Sequence, residues 1–140
     1  MNDHASHLVT VDVSGHTMHL DRRDARAEAI LAAGGTLHPD AVGLWQELVA
    51  DGPWDAVVDV GANYGEMLLA LSLPETSKVA AVEPNPRVLP ALTRTLTDTY
   101  PNAVLRQVAI SDVDGVATFH DDVTWWGNST LCSEWITGFS

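Results

Sequence analysis

The stretch that decides the fold is V57-V-D-V-G-A-N-Y-G-E66, in which an apolar run meets an acid and then two glycines four positions apart. Short apolar runs of this kind are typical of strands that are buried on both faces of a parallel sheet. Glycine accepts the backbone conformations of tight turns and lets other groups approach closely. We therefore predict a strand that ends at Val60, a loop over Gly61–Gly65 and a helix after it.

The same alternation of strand and helix continues along the chain. The predicted elements are strands over 56–60, 78–83 and 103–110, a helix over 64–73, and a helix that begins at Asn85 with Val88, Leu89, Leu92 and Leu96 at helical spacing. Alternating strands and helices favour parallel strands with right-handed crossovers. The sequence thus predicts an α/β protein with a Rossmann-like open parallel sheet in the order 3-2-1. A further short strand is predicted over 116–120.

The segment before the first parallel strand has a different pattern. Its predicted elements are a β-hairpin of residues 8–13 and 16–20, a helix over 22–33 capped by Asp21, and a second helix from Pro39 that Asp51–Pro53 ends. Alternation of apolar and polar residues indicates the hairpin, and Asp and Gly at the helix boundaries indicate the caps. We divide the chain into residues 1–52, with the hairpin and helices, and residues 53–140, with the parallel sheet.

Composition limits the classes of partner. The 140 residues include 19 acids and 7 bases, for a net charge of −12, and no Lys or Arg follows Arg106. Binding to nucleic acid or to an anionic membrane surface needs a basic face, so neither is expected. Cys132 is the only cysteine, which excludes an internal disulfide and suits a reducing compartment. No signal peptide or membrane-spanning run is recognisable, so we expect a cytoplasmic protein.

A ligand site is predicted at the carboxyl ends of the strands, where open α/β sheets bind their ligands. Gly61 and Gly65 let the backbone approach a ligand, and the following helix directs free N–H groups at the same place, which favours a carboxylate. Glu83 ends the second strand, 24 positions after Asp59. An acid there can accept hydrogen bonds from both hydroxyls of a ribose.

The third strand completes the predicted site. Its end, Ile110-Ser111, is where an adenine edge is expected, and Pro84 and Ile110 could hold the ring between them. Taken singly, the loop reads equally well as a tight turn, and acids commonly end buried strands. Together they favour a site. NAD-binding chains usually have G-x-G-x-x-G, whereas this loop has G-x-x-x-G with Asp59 two residues ahead, which disfavours NAD.

Three consecutive segments, "VVDVGANYGE", "VAAVEPNPRVLPAL" and "VAISDVDGVATFH", resemble the FkbM-type methyltransferases, and "GNSTL" is a looser match. The resemblance covers about residues 40–131. It implies a class I enzyme that uses S-adenosylmethionine to methylate a hydroxyl of a sugar or small natural product. It also implies that Asp59, Gly61, Asn63 and Gly65 hold the methionine end, that Glu83 holds the ribose, and that Pro84, Ile110 and Ser111 flank the adenine.

This sequence lacks part of the family's motif pattern. Members continue into a fourth strand with a K-x-D-x-E-G-like motif, which this sequence does not contain, so the methyltransferase domain is expected to be incomplete. We therefore name no catalytic base. The alternative is a non-catalytic cofactor-binding fragment or interaction module. The first strand would have one uncovered edge, so self-association is expected.

Two weaker sequence patterns have a structural explanation without a functional role. His16 and His19 are three positions apart on a strand, face opposite ways and are expected to be solvated, as are His4 and His7. Residues 110–121 approach an EF-hand spacing, but Ile110 occupies the first ligand position, so a plain turn and no metal site are expected.

The tail beyond residue 120 has two further features. Cys132 has no nearby base in the sequence and is interpreted as a packed thiol. Trp125, Trp126 and Trp135 could line an acceptor pocket, or they could belong to a core. The sequence favours neither interpretation.

Overall fold

The computed structural model describes residues 7–132 and has an α/β architecture. An antiparallel hairpin comes first, with β1 at Leu8–Val13 and β2 at His16–Asp21. A three-stranded parallel sheet follows, with β3 at Ala56–Val60, β4 at Lys78–Val82 and β5 at Val104–Arg106, in the order β3-β4-β5. The helices are α1 at Ala25–Ala32, α2 at Pro39–Ala50, α3 at Glu66–Leu69 and α4 at Leu89–Thr99. The predicted α/β class is confirmed, and the sheet is consistent with a Rossmann-like fold.

The register of the parallel sheet brings three loops to one edge. Val58 pairs with Ala80, and Ala80 pairs with Val104, so the carboxyl ends of the three strands are side by side. The last backbone bond of the sheet runs from the Glu83 N–H to the Arg106 carbonyl at 3.0 Å. The segments that follow β3, β4 and β5 therefore meet at the edge where the sequence predicts a ligand.

One apolar cluster joins the hairpin to the sheet and its helices. Met18 and Leu20 of β2, Ile30 of α1, Leu68 of α3 and Leu92 of α4 are all fully buried in it. β2 packs directly on α4, and its His19 N–H donates to the Thr95 hydroxyl at 2.9 Å. The division of the chain at residue 52 stays a prediction. In residues 7–132 no helix has the length and hydropathy that crossing a bilayer requires.

The first two helices differ from their predicted bounds. α1 begins at Ala25 and is capped by Asp24, whose Oδ1 accepts the Arg26 N–H at 2.9 Å. The prediction of Asp21 as the cap is wrong, because its carboxylate pairs with the Arg23 guanidinium at 2.6 Å. The helix predicted over 64–73 is also wrong in length, since α3 covers only four residues.

Long-range contacts explain the short α3. The single hydrogen of the Tyr100 hydroxyl is shared between the carbonyl oxygens of Leu68 and Leu71, which lie 3.0 and 3.1 Å from the hydroxyl oxygen, and the Gln46 amide donates to the carbonyl of Ala70 at 2.7 Å. Side chains thus supply hydrogen bonds to the carbonyls at the end of α3, where the Leu68 carbonyl also accepts the Leu71 N–H at 3.1 Å, and the helix does not continue.

The sheet is less covered and shorter than predicted. Val57 is buried, but Val58 and Val60 are 55 % and 58 % exposed, so the prediction that β3 is buried on both faces is wrong. Alternate residues of a strand point to opposite faces, and within residues 7–132 only one face of β3 packs against the core. β5 ends at Arg106 instead of residue 110.

The predicted strand over 116–120 does not form. The only pairing nearby in the described chain is an isolated bridge between His120 and Thr130, and Val113 and Val116 are exposed. The helix predicted from Asn85 begins instead at Leu89, because the Asn85 side chain accepts the Arg87 N–H at 3.0 Å and makes a turn before α4.

Candidate functional site

The loop after β3 wraps around the end of β4. The N–H groups of Gly61 and Ala62 donate to the Val82 carbonyl at 2.8 and 3.1 Å. Gly61 has φ = 80°, and Asn63 has φ = 47°, in the left-handed region that few side chains adopt. A Cβ built on Gly61 would meet no protein atom within 4 Å. The glycine therefore borders open space, as a backbone that receives a ligand should.

Glu83 connects this loop to the one after β4. Its side chain is buried, with Oε2 accepting the Asn63 N–H and Oε1 accepting the Asn85 N–H, each at 2.8 Å. Each carboxylate oxygen has a second lone pair. The side chain can thus hold both loops and still accept a further hydrogen bond at the cavity.

Two adjoining cavities lie at this edge of the sheet. The first has a volume of about 210 Å³ and is lined by Arg26, Gly61, Asn63, Glu83, Pro84, Asn85, Phe119, Trp126, Gly127 and Ser129. The second, of about 610 Å³, is lined by residues of 107–119 that include Ile110 and Ser111, and it shares Pro84 and Phe119 with the first. Together they contain six of the eight residues that the sequence predicts for the site.

The other two predicted residues, Asp59 and Gly65, are not among the lining residues of either cavity. Asp59 is largely buried, and its Oδ2 has no hydrogen-bond partner within residues 7–132. Burial, and then the negative charges of Glu66 and Glu83, raise the pKa of Asp59 to about 6. Gly65 has φ = 88° and faces α4, where an added Cβ would lie 3.3 Å from Leu92 and 3.4 Å from Thr95. Gly65 thus allows close packing of the loop on α4.

Arg26 is a site residue that the sequence did not reveal. It reaches the cavity from α1, donates from Nη1 to the Asn63 Oδ1 at 2.9 Å, and donates from Nη2 to the Glu66 Oε2 at 3.0 Å. Its side chain is only 14 % exposed. In the sequence it is one basic residue of the helix predicted over 22–33, 37 positions before Asn63, so no local signal marks it.

Trp126 closes the cavity on another side. Its N–H donates to the Asp24 Oδ1 at 3.0 Å, and its carbonyl accepts from the Asn85 side chain at 3.1 Å. The guanidinium carbons of Arg23 and Arg87 lie 5.8 and 5.7 Å from the centroid of its ring. Trp126 is therefore both a core residue and a lining residue.

The neighbours of Trp126 complete this side of the protein. Trp125 is partly buried, and Trp135 lies outside the described residues. The other carboxylate oxygen of Asp24 accepts the Tyr64 hydroxyl at 2.8 Å. Burial, with the adjacent Asp24 carboxylate, raises the pKa of Tyr64. Asp24 thus ties α1, the glycine loop and the Trp126 segment together.

The weaker candidates lie apart from this cavity. His19 is partly buried, and its Nε2 is 2.7 Å from the Asp98 carboxylate, so the prediction of a solvated side chain is wrong for it. Cys132 is exposed, which corrects its interpretation as a packed thiol. Across residues 7–132 no group of three or more His, Cys, Asp or Glu side chains is placed to hold a metal ion. His4 lies outside the described residues.

No family model matches the chain, and no curated protein does. Among solved structures, the chain is similar to a crystal structure from Pyrococcus horikoshii described as a putative transferase, with 19 % identity and a TM-score of 0.49. The match covers 74 % of this chain and 37 % of that one, so this chain spans well under half the length of that protein.

Proposed function

We propose that the chain binds S-adenosylmethionine in the two adjoining cavities and carries the cofactor site of an FkbM-type methyltransferase. The acceptor would be a hydroxyl of a sugar or small natural product. The observation that carries the proposal is the grouping of Gly61, Asn63, Glu83 and Pro84 around one cavity, with Ile110 and Ser111 in the next. These residues come from three separate motifs and meet at the carboxyl edge of a parallel sheet, where such folds bind nucleosides.

The charges around the cavity favour this ligand. Glu66 and Glu83 are close enough to Asp59 to raise its pKa. Among residues 7–132, Arg26 is the only basic side chain that lines the smaller cavity. S-adenosylmethionine carries a sulfonium and an ammonium, which an acidic site attracts. The pyrophosphate of NAD would be repelled by the same carboxylates.

The geometry agrees with the roles that the resemblance implies. Glu83 is placed to accept hydrogen bonds from ribose hydroxyls while its oxygens hold both loops. Gly61 leaves open space for the methionine end, and Asp59, two residues earlier, adds a carboxylate whose Oδ2 has no hydrogen-bond partner within residues 7–132. Pro84 borders both cavities, so an adenine in the larger one and a ribose in the smaller one would meet beside it.

In the proposed reaction the protein takes little part in covalent chemistry and mainly binds and orients the cofactor. When bound, the cofactor would supply a methyl group on a positively charged sulfur: an acceptor oxygen would attack the methyl carbon opposite the sulfur, and the methyl–sulfur bond would break as the new bond forms. The chain holds and orients the cofactor: Glu83 and Asn63 fix the loops, and Trp126, which is buried and has the guanidinium groups of Arg23 and Arg87 near its ring, excludes water from one side. We assign no residue as the base for the acceptor hydroxyl.

A second function, cofactor binding without turnover, is favoured by one observation. Within residues 7–132 β3 pairs on one side only, and its Val58 and Val60 side chains are exposed, so this face of the sheet is uncovered. An interaction module would use such a face. Transfer of a labelled methyl group to hydroxylated acceptors would distinguish the enzyme from the module.

Calorimetric titration tests the binding itself. S-adenosylmethionine and its demethylated product should each bind with one site per chain, and NAD should not bind at matched concentrations. Binding of NAD at equal or greater affinity would contradict the proposal, because the acidic surroundings of Glu83 would then not select the ligand.

A further inference from the structure

Arg26 has hydrogen-bonding capacity that the protein does not use. A guanidinium has five N–H groups. The bonds to Asn63 and Glu66 use one N–H on each terminal nitrogen. The other donors have no acceptor within residues 7–132, although the side chain is only 14 % exposed and lines the 210 Å³ cavity.

The surroundings hold this guanidinium in one place. Asn63 and Glu66 fix its terminal nitrogens, and Gly127 lies against its stem. A Cβ on Gly127 would approach the Arg26 Cδ to 2.8 Å and its Nε to 3.3 Å, so only glycine leaves room for this conformation. The donors are therefore preorganised at the cavity wall, which lowers the cost of binding an anion there.

The cavity presents both signs of charge. Arg26 and Glu83 both line it, Glu66 is bound to Arg26, and Asp59 is close enough to Glu66 and Glu83 for their charges to raise its pKa. A ligand with a single charge would satisfy one group and meet repulsion from the other. A zwitterionic α-amino acid satisfies both, since its carboxylate can face the guanidinium and its ammonium can face the acids.

We infer that Arg26 binds the α-carboxylate of the methionine moiety and thereby orients the cofactor in the cavity. The inference rests on the proposed function and adds a residue outside its three motifs. The competing role for Arg26 is neutralisation of Glu66, a buried carboxylate that would be costly without a partner. The two roles differ in their dependence on the ligand's carboxylate.

The test compares S-adenosylmethionine with its decarboxylated form by calorimetric titration of the whole chain. The acidic surroundings alone would favour the decarboxylated form, which has the greater positive charge. A charge-assisted bond to Arg26 should instead make S-adenosylmethionine bind more tightly by roughly 10- to 100-fold.

Two variants test whether Arg26 is the source of the preference for the carboxylate-bearing ligand. Arg26→Gln removes the guanidinium, and Gly127→Ala displaces it without removing its charge. Each should abolish the preference for the carboxylate, chiefly by weakening S-adenosylmethionine binding. The matched controls are Arg94→Gln, at an exposed position of α4, and Gly43→Ala, where an added Cβ meets nothing within 4 Å. Both controls should keep the parent's preference.

The outcomes separate this inference from the proposed function. If both ligands bind the parent equally, or the decarboxylated form binds better, the inference is overturned and the proposed function stands. If Arg26→Gln weakens both ligands to the same extent, Arg26 is only structural. If the parent binds neither ligand, both ideas fall. Should Arg26→Gln fail to fold by circular dichroism, Gly127→Ala decides by the same criterion.

Discussion

The Glu83 carboxylate accepts the backbone N–H of Asn63 at 2.8 Å and so joins the loop after β3 to the end of β4. Its other oxygen accepts the N–H of Asn85 at the same distance. The acid that the motifs place at a ribose is thus also the group that holds the site's two loops together. Any change at Glu83 should therefore affect the fold as well as ligand binding.

Glu83→Gln should lower the stability and the affinity for S-adenosylmethionine. The amide keeps one acceptor oxygen but directs N–H groups at the other loop, so a buried N–H of Asn63 or Asn85 loses its partner. The cost in unfolding free energy should be about 1–3 kcal/mol, measured by urea denaturation. Glu83→Ala should lose a similar or larger amount and weaken binding by roughly 1.5–3 kcal/mol.

The ribose role of Glu83 can be separated from its loop role. The unmodified protein should bind a 2′-deoxy analogue of the demethylated cofactor more weakly than the demethylated cofactor itself, and this difference in affinity should be smaller in the Glu83→Gln variant. An unchanged difference in the variant would mean that Glu83 organises the loops without contacting the ribose.

Gly61→Val should abolish cofactor binding while leaving the chain folded. The space before Gly61 is open, so the new side chain meets ligand instead of protein, and its positive φ adds strain of about 1–3 kcal/mol. Gly34→Val is the matched control, because Gly34 has φ = 76°, has no atom within 4 Å of an added Cβ and does not line the cavity. Circular dichroism and titration should show equal folding and a loss of binding for Gly61→Val alone. Retained binding would make the loop a simple turn.

Asp59→Asn should stabilise the chain at neutral pH. The folded pKa of about 6 exceeds the ordinary 3.8, so between these values the folded state binds more protons than the unfolded state. Stability should therefore fall as the pH rises from about 4 to 6, by at most about 3 kcal/mol. Urea denaturation across this range should show the decrease in the parent and a flatter profile in the variant. A steeper decrease in the variant would contradict the assignment.

The same carboxylate should make cofactor binding depend on pH. Ionised Asp59 attracts the ligand's positive charges, so the affinity of the parent for S-adenosylmethionine should rise between pH 5 and 7. Asp59→Asn should remove that rise and weaken binding at pH 7, although the folded chain is more stable. Titration of the decarboxylated ligand serves as a check, since its larger positive charge should give a steeper dependence.

The uncovered face of β3 should cause self-association. Val58 and Val60 are exposed on a strand that pairs on one side within the described residues, and Leu44 and Leu48 of α2 are also more than half exposed. Such edges and apolar patches favour association, and the charge of −12 opposes it. Sedimentation should show larger species at high salt than at low salt, because salt screens the repulsion.

Val58→Lys tests the contribution of that strand. A charge on the exposed face should suppress the association at high salt, whereas Val113→Lys, at an exposed position in the segment after β5, should not. A parent chain that is monomeric at both salt concentrations would show that the face is covered in solution.

Local sequence signals predicted those parts of the fold that local chemistry controls. The two glycines of the loop after β3 have the positive φ expected of them, and Glu83 lies beside Asn63 because adjacent parallel strands end together. The lengths of α3 and β5 were not predictable. They depend on partners far along the chain, such as the Tyr100 hydroxyl, whose hydrogen is shared between the carbonyls of Leu68 and Leu71.

Two contacts that build the site depend on distant partners in the same way. Arg26 reaches Asn63 across 37 positions, and the Trp126 N–H reaches Asp24 across 102. Neither pair has a spacing that a repeat or a helical period would reveal. Asp24 looks in the sequence like a residue inside a helix, and its role as cap and anchor depends on where Tyr64 and Trp126 fold.

A larger cavity elsewhere provides an internal control for the central claim. It has a volume of about 760 Å³, lies at the amino ends of β3 and β4, and is lined by the end of α2 with Trp54 and residues 70–78. It contains none of the residues predicted for the cofactor. It is larger than either of the two cavities beside Glu83 taken singly, whereas the motifs and charges favour those two cavities.

The most direct measurement is a titration of the ¹⁵N-labelled chain with S-adenosylhomocysteine, followed by amide chemical shifts. We expect the amides of Gly61, Asn63 and Ser111 to shift together with a single affinity, while those of Trp54 and Thr76 in the larger cavity stay unchanged. Shifts confined to Trp54 and Thr76, or no shifts at millimolar ligand, would contradict the claim that the cavities beside Glu83 bind the cofactor.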